Sequence, residues 1–247
     1  MEEKAISFKI YIGLIIIYII LVFINIYLPQ GNFLPYRKLP FSKFVFAIIN
    51  SFIVFIFYGG LGFIGLKLSQ KIGFTNIWDL KISNKQRFLI PALIGIFIGI
   101  FFIIADTILS RFHKLGRLPH PPFPTSIIAS IGASIGEEII WRLFFISFWL
   151  WFISFILLKK RWQNQIFWII SIISAFAFAF AHIPSFMFIF GFNKISEIPI
   201  LILFEIIILN GVLSIFCAYY FRKFGFLASV GIHFWTDFIW HFIWGII

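Results

Sequence analysis

Ionisable side chains inside apolar stretches are the residues of this sequence that could do chemistry. Five of the nine acidic residues lie in such stretches, together with one arginine and three histidines. An acid or arginine near the centre of a bilayer costs about 2.5–3.5 kcal/mol, so such residues usually face a bundle interior and have partners. The candidates are Asp106, Glu137, Glu138, Glu205, Asp237, Arg142, His182, His233 and His241.

The first cluster is a pair of adjacent glutamates followed by an arginine. Glu138 and Arg142 are four residues apart, so they share a helix face and can form an ion pair. Glu137 points about 100° away on the helix, and no cation lies near it in the sequence. A carboxylate in a dry site without a cation can take up a proton, which suits a general base. The alternative is a structural ion pair beside a Glu137 that faces water.

The second cluster is a histidine at a point where a helix is interrupted. His182 directly precedes Ile183 and Pro184, and a proline inside a membrane helix frees backbone groups for other partners. His182 is therefore a candidate for a polar site inside the bundle. The alternative is a hydrogen-bonded packing residue.

The third cluster is a stripe of three polar residues. His233, Asp237 and His241 are spaced at i, i+4 and i+8, so they lie on one helix face. An acid can orient one imidazole nitrogen and thereby fix the tautomer that the other nitrogen presents. The alternative is a polar seam that satisfies itself.

These three clusters together resemble the CPBP (Abi) family of intramembrane proteases. That family includes the type II CAAX prenyl endopeptidase and bacterial members linked to bacteriocin maturation and self-immunity. The resemblance covers residues 125–247, whereas residues 1–124 carry no motif of the family. The motifs are Glu137-Glu138-x-x-x-Arg142, Phe178-x-x-x-His182 and His233-x-x-x-Asp237, in that order along the chain.

The resemblance implies a role for each residue of the first two motifs. Glu137 and His182 would hold and activate the attacking water. Glu138 would pair with Arg142 and shape the site, and Phe178 would pack beside His182. The activity implied is that of a membrane protease.

The resemblance also implies that His233 and the residue at position 237 stabilise the oxyanion of the tetrahedral intermediate. Many family members have asparagine where this chain has Asp237. An ionised aspartate only accepts hydrogen bonds, so it cannot donate to an oxyanion. Either Asp237 is protonated, or it orients His233 and leaves the donation to that imidazole.

The use of a metal is left open by the residues themselves. Glu137, His182 and His233 have the donor types that a zinc ion accepts. Both metal-dependent and metal-free mechanisms are implied by the family resemblance. A glutamate and a histidine on different helices can also activate water without a metal.

The composition decides which elements must position these groups. Of the 247 residues, 62% are hydrophobic and 12% are charged, which is far too apolar for a soluble domain. We predict an all-α, polytopic transmembrane bundle of about seven to eight helices, forming a single integral membrane domain over residues 1–247. The predicted spans are Ile6–Leu28, Phe44–Leu66, Phe88–Leu109, Thr125–Leu158, Gln165–Phe190, Ile198–Tyr220 and Phe226–Ile247.

Two connectors have a distinct character. Residues 67–87 are polar, and we expect a short surface helix around Trp78. Residues 110–124 contain four prolines and cannot form a continuous helix. Most basic residues lie in such connectors, so the net charge of +11 indicates a membrane protein rather than a nucleic-acid partner. Asp106 and Glu205 are isolated acids that we interpret as interior packing or cavity residues.

The sequence thus favours an intramembrane endopeptidase acting on a peptide or protein substrate that is lipidated or membrane-bound. One alternative is a non-catalytic immunity or scaffold protein that binds a peptide partner. Another is a small-ion or proton-coupled carrier. The composition suggests a multi-pass protein of a bacterial or archaeal cell membrane.

Overall fold

The protein folds as a bundle of membrane-length helices. A computed structural model describes residues 2–31 and 41–247, and these residues form seven long helices and no β-strand. The first six helices are long and apolar enough to cross a membrane. The seventh carries the third polar cluster. The helices are α1 (Glu2–Asn25), α2 (Lys43–Lys71), α3 (Lys85–Leu109), α4 (Thr125–Leu157), α5 (Gln163–Phe190), α6 (Ile200–Phe224) and α7 (226–243).

The predicted all-α, multi-pass architecture is confirmed, and the helix count resolves to seven in the described ranges. The fourth span, for which a break was one possibility, is a single helix of 33 residues over Thr125–Leu157. At 1.5 Å per residue it is about 50 Å long, so it extends beyond a ~30 Å hydrocarbon core. No eighth helix arises from it.

The alternation of helix direction brings the three polar clusters to a similar depth. The connector 110–124 lies at the start of α4 and beside the end of α7, where a Cβ on Gly245 would meet His120. Measured from that side, Glu137 lies about 18 Å along α4 and His233 about 15 Å along α7. His182 lies about 12 Å from the end of α5. All three therefore lie at a similar distance, about 12–18 Å, from this end of the bundle.

Two of the motif helices change geometry directly after a motif acid. α4 is α-helical as far as Glu138 and π-helical from Ile139 to Ile146. α7 is α-helical as far as Asp237 and π-helical from Phe238 onward. Wider π-type turns occur frequently at functional sites. The π-helical turns change which side chains share a helix face in the segments that follow Glu138 and Asp237.

Close packing of α3 on α7 holds the third cluster in place. Gly95 and Gly99 lie on α3, and a Cβ on Gly95 would collide with the carbonyl oxygen of Ile232. Thr236 Oγ1 lies 3.1 Å from the carbonyl oxygen of Gly95. Small residues permit this backbone approach between membrane helices. The position of His233, next to Ile232, therefore depends on α3.

The expected surface helix around Trp78 is wrong. The residues around Trp78 form turns in the structure. The guanidinium of Arg87 stacks on the Trp78 ring at 3.8 Å and donates to the carbonyl oxygens of Asp79 and Ile82 at 2.6 and 2.9 Å. The Asp79 carbonyl also accepts the Ile82 N–H at 3.1 Å, so a turn stabilised by Arg87 forms here instead of a helix.

Candidate active site

The predicted site residues converge on one cavity between the helices. The cavity has a volume of about 340 Å³. Its lining includes Glu137 from α4, His182 from α5, and His233 and Asp237 from α7. Three sequence-distant motifs are thus brought together, with room for water and part of a peptide. The proline-rich connector closes one end through Leu118, Pro119 and Pro121.

Glu138 is the buried centre of the polar network behind this cavity. Its Oε1 lies 2.8 Å from Nδ1 of His233 and 3.2 Å from Nη1 of Arg142. Its Oε2 accepts a short hydrogen bond from the hydroxyl of Ser229. Glu138 and Arg142 are both fully buried. The predicted ion pair is confirmed, and it serves to support His233 from behind.

His233 presents its other nitrogen to two carboxylates at the cavity. Nε2 lies 3.5 Å from Oδ2 of Asp237 and 3.7 Å from Oε2 of Glu137. Nδ1 also faces a carboxylate, that of Glu138. Hydrogens on both ring nitrogens would therefore suit these surroundings. Asp237 thus lies beside the His233 ring, and its orienting role stays a prediction.

Glu137 is the accessible member of the glutamate pair. Its side chain is 34% exposed, whereas that of Glu138 is fully buried. The sequence offered Glu137 no nearby cation, but the tertiary fold supplies His233 at 3.7 Å. Glu137 is therefore free to meet water in the cavity while the His233 ring stands beside it.

The interruption of α5 fixes the tautomer of His182. The backbone N–H of His182 bonds the carbonyl of Ala179, three residues back, instead of the carbonyl of Phe178. The Phe178 carbonyl oxygen lies 2.8 Å from His182 Nδ1. A carbonyl can only accept, so Nδ1 carries the hydrogen and Nε2 is the acceptor. His182, which lines the cavity, can therefore accept a proton or a hydrogen bond from water.

Phe178 joins the motifs through its ring. It stacks edge-on against His182 at 4.9 Å and against His233 at 5.9 Å between ring centroids. The Arg142 guanidinium lies 4.7 Å from the same ring. The predicted packing of Phe178 beside His182 is confirmed.

The zinc option does not fit the arrangement of the side chains. No three His, Cys, Asp or Glu side chains in the described ranges are grouped so as to hold a metal ion. Both nitrogens of His233 already face carboxylates. Glu137, His182 and His233 are therefore not arranged as a zinc set, and the reaction proposed below uses the chain's own groups.

His241 shares the cavity but has its own partner. Its Nδ1 lies 3.2 Å from Nδ1 of His120, in the proline-rich connector.

The two isolated acids, Asp106 and Glu205, also contact this connector. Asp106 accepts the Leu118 N–H at 3.0 Å, and Glu205 Oε2 lies 3.8 Å from His113 Nε2. Both acids are fully buried, so their interpretation as interior residues is confirmed.

Sequence reasoning missed Ser229. It is fully buried and lies one helical turn before His233, on the same face of α7. Its hydroxyl donates to Glu138 in preference to the neutral Cys217 carbonyl at 3.0 Å, because the carboxylate is charged. Ser229 precedes the motif residue His233 by four positions, and this spacing could have indicated that it shares the same helix face.

The fold and the cavity define a multi-pass integral membrane protein with a buried site of ionisable side chains. Residues 119–239, which include all three motifs, match the family model described as type II CAAX prenyl endopeptidase Rce1-like. This part of the chain is thus similar to the CPBP family, which includes CAAX-type membrane endopeptidases. Neither a comparison with curated proteins nor one with solved structures gives a match.

Proposed function

We propose that this protein is an intramembrane endopeptidase that hydrolyses a peptide bond with Glu137 and His182 as the water-activating groups. The observation that carries the proposal is that both residues line one cavity together with His233 and Asp237. The substrate would be a membrane-bound or lipidated peptide, because the cavity lies at bilayer depth. A role in bacteriocin maturation or self-immunity stays a prediction, as does a bacterial or archaeal membrane location.

The first step is the attack of water on the scissile carbonyl. His182 Nε2 accepts a hydrogen bond from the water, and the Glu137 carboxylate takes one of its protons. The water oxygen then forms a bond to the carbonyl carbon, and the π electrons move to the carbonyl oxygen. The tautomer of His182, set by the Phe178 carbonyl, supports this role.

The second step stabilises and then collapses the tetrahedral intermediate. The imidazolium of His233 stands at the cavity wall and donates its Nε2 hydrogen to the oxyanion. Asp237 and Glu138 hold the ring from either side. When the carbon–nitrogen bond breaks, Glu137 returns its proton to the leaving amine.

Replacing Glu137 by glutamine tests the proposal. Glutamine keeps the shape but cannot take the proton, so we expect turnover to fall by about 10²–10⁴-fold, with unchanged thermal unfolding. His182→Ala should have a similar effect. The assay is cleavage of an internally quenched, farnesylated CAAX peptide and of a quenched transmembrane peptide by purified protein in proteoliposomes. Glu2→Gln, at an exposed glutamate outside the cavity, is the matched control.

Wild-type turnover in both Glu137→Gln and His182→Ala would overturn the proposal. A protein that binds the peptides but cleaves neither, with or without Glu137, would instead support the non-catalytic peptide-binding alternative. A proton flux in liposomes that collapses in Glu137→Gln would support the carrier.

A further inference from the structure

Four polar side chains that line the cavity, those of Glu137, His182, His233 and Asp237, offer few free hydrogen-bond donors to the backbone of a bound peptide. Glu137 and Asp237 are carboxylates, which accept only when ionised. The His182 Nδ1 hydrogen is used by the Phe178 carbonyl. Of the two His233 nitrogens, Nδ1 is bonded to Glu138 at 2.8 Å, and Nε2 is the donor assigned above to the oxyanion. A bound peptide brings carbonyl oxygens that lose their water partners on entry, and each unpaired one is costly.

Asn210 brings an amide donor to the same cavity from α6. It lines the cavity between apolar neighbours, and its Nδ2 donates one hydrogen to the carbonyl oxygen of Ile206 at 2.9 Å. An amide nitrogen carries two hydrogens. No other hydrogen bond of Asn210 occurs among the described residues. Its second hydrogen therefore remains available to a ligand.

A second asparagine in the chain shows what is particular to this position. Asn50 on α2 makes the same bond, from Nδ2 to the Phe46 carbonyl at 2.8 Å, but it does not line the cavity. Asn210 and Asn50 thus both bond the carbonyl four residues back. What distinguishes Asn210 is its place in the wall of the site.

Resting on the function proposed above, we propose that Asn210 is a substrate-binding residue whose second amide hydrogen donates to a carbonyl oxygen of the bound peptide. The bond to Ile206 holds the amide plane in place, so the donor is oriented before the substrate arrives. Ser185 also lines the cavity, but its exposed hydroxyl rotates freely. Asn210 is therefore the better-prepared donor.

Asn210→Thr tests the assignment. A threonine hydroxyl on a helix can bond the carbonyl four residues back, as Thr236 does with Ile232 at 2.9 Å, so the variant keeps the local bond but loses the second donor. We expect kcat/KM for the quenched, farnesylated CAAX peptide to fall about tenfold, as the loss of one hydrogen bond predicts. Asn50→Thr is the matched control and should behave as wild type in turnover and thermal unfolding.

Binding of the same peptide gives a readout that does not depend on catalysis. In the Glu137→Gln background, Asn210→Thr should raise the Kd of the peptide about five- to tenfold, and Asn50→Thr should leave it unchanged. Unchanged kcat/KM and Kd in Asn210→Thr would overturn the inference. So would a loss caused by Ser185→Ala and not by Asn210→Thr.

The failure of this inference can be told from the failure of the proposed function. If Glu137→Gln is inactive while Asn210→Thr cleaves and binds as wild type, only the role of Asn210 is wrong. If Glu137→Gln and His182→Ala both keep wild-type turnover, the hydrolytic mechanism is wrong, whereas a weaker Kd in Asn210→Thr still supports peptide binding. The absence of saturable binding would overturn both.

Discussion

At the scale of single residues, two neighbouring glutamates have different tasks because their surroundings differ. Glu138 is fully buried and receives hydrogen bonds from His233 and Ser229 and the charge of Arg142. Glu137 is partly exposed at the cavity and lies 3.7 Å from the His233 ring. A fully bonded carboxylate is held in one orientation, whereas an accessible one can exchange a proton with water. The first positions the site and the second is suited to chemistry.

The Ser229 hydroxyl should stabilise both the fold and the site through Glu138. Ser229→Ala leaves a buried carboxylate oxygen short of a donor, so we expect the free energy of unfolding to fall by about 1–3 kcal/mol. Turnover should fall as well, because Glu138 holds His233. Ser214→Ala is the control, since Ser214 is equally buried but its hydroxyl has no hydrogen-bond partner. Equal effects of both changes, in thermal unfolding and in peptide cleavage, would contradict this role.

At the scale of elements, the contact between α3 and α7 sets the position of the third motif. Because Gly95 has no side chain, the two helix backbones lie very close together. A Cβ at this position would collide with the carbonyl oxygen of Ile232. α3 carries no motif of its own, yet it decides where His233 stands. A helix without catalytic residues is therefore part of the site's support.

Gly95→Ala should destabilise this contact. The added methyl group meets the Ile232 carbonyl and lies 2.8 Å from Trp235 Cβ, so we expect a loss of about 1–3 kcal/mol of unfolding free energy. Turnover should fall because α7 must shift. Gly60→Ala is the control, because nothing lies within 4 Å of a Cβ there, and alanine favours a helix by up to about 1 kcal/mol. A Gly95→Ala protein as stable and active as the control would refute the argument.

At the scale of the whole molecule, the proline-rich connector 110–124 ties the bundle together at one end of the cavity. Asp106 accepts the Leu118 N–H and the Trp244 indole N–H at 3.0 and 3.2 Å. His120 and His241 meet through Nδ1 atoms 3.2 Å apart, an arrangement that requires one shared hydrogen. Burial and then the nearby His241 ring lower the pKa of His120 to about 3. The connector is therefore held best when His120 is neutral.

This neutral histidine should make the stability of the protein depend on pH. Between the ordinary histidine pKa of about 6.5 and the lowered value, the unfolded chain binds more protons than the folded one. His120 therefore contributes fully to the free energy of unfolding above pH 6.5. This contribution falls by at most about 1.4 kcal/mol for each pH unit below 6.5. His120→Phe keeps the ring against Trp240 and should show a flatter decline. Thermal unfolding of both proteins from pH 7.5 to 4.5 measures the difference, and parallel curves would contradict it.

Much of the architecture follows from local properties of the sequence. Runs of about 20 apolar residues can bury their backbone polar groups in lipid only as helices, so the spans and their order were predictable. The Glu138–Arg142 pair was predictable for the same reason, since four residues make one helical turn. The polar stripe of α7 was also found by spacing alone.

Which residues make up the candidate site, in contrast, was decided by tertiary contacts between residues that are distant in the sequence. Only the folded bundle shows that His233 lies beside Glu137, and that Ser229 bonds Glu138 across 91 positions of sequence. It also shows that Asn210 faces the cavity whereas Asn50 does not. Helical periodicity fixes which side chains share one face. It cannot fix which faces meet, because that depends on how neighbouring helices pack.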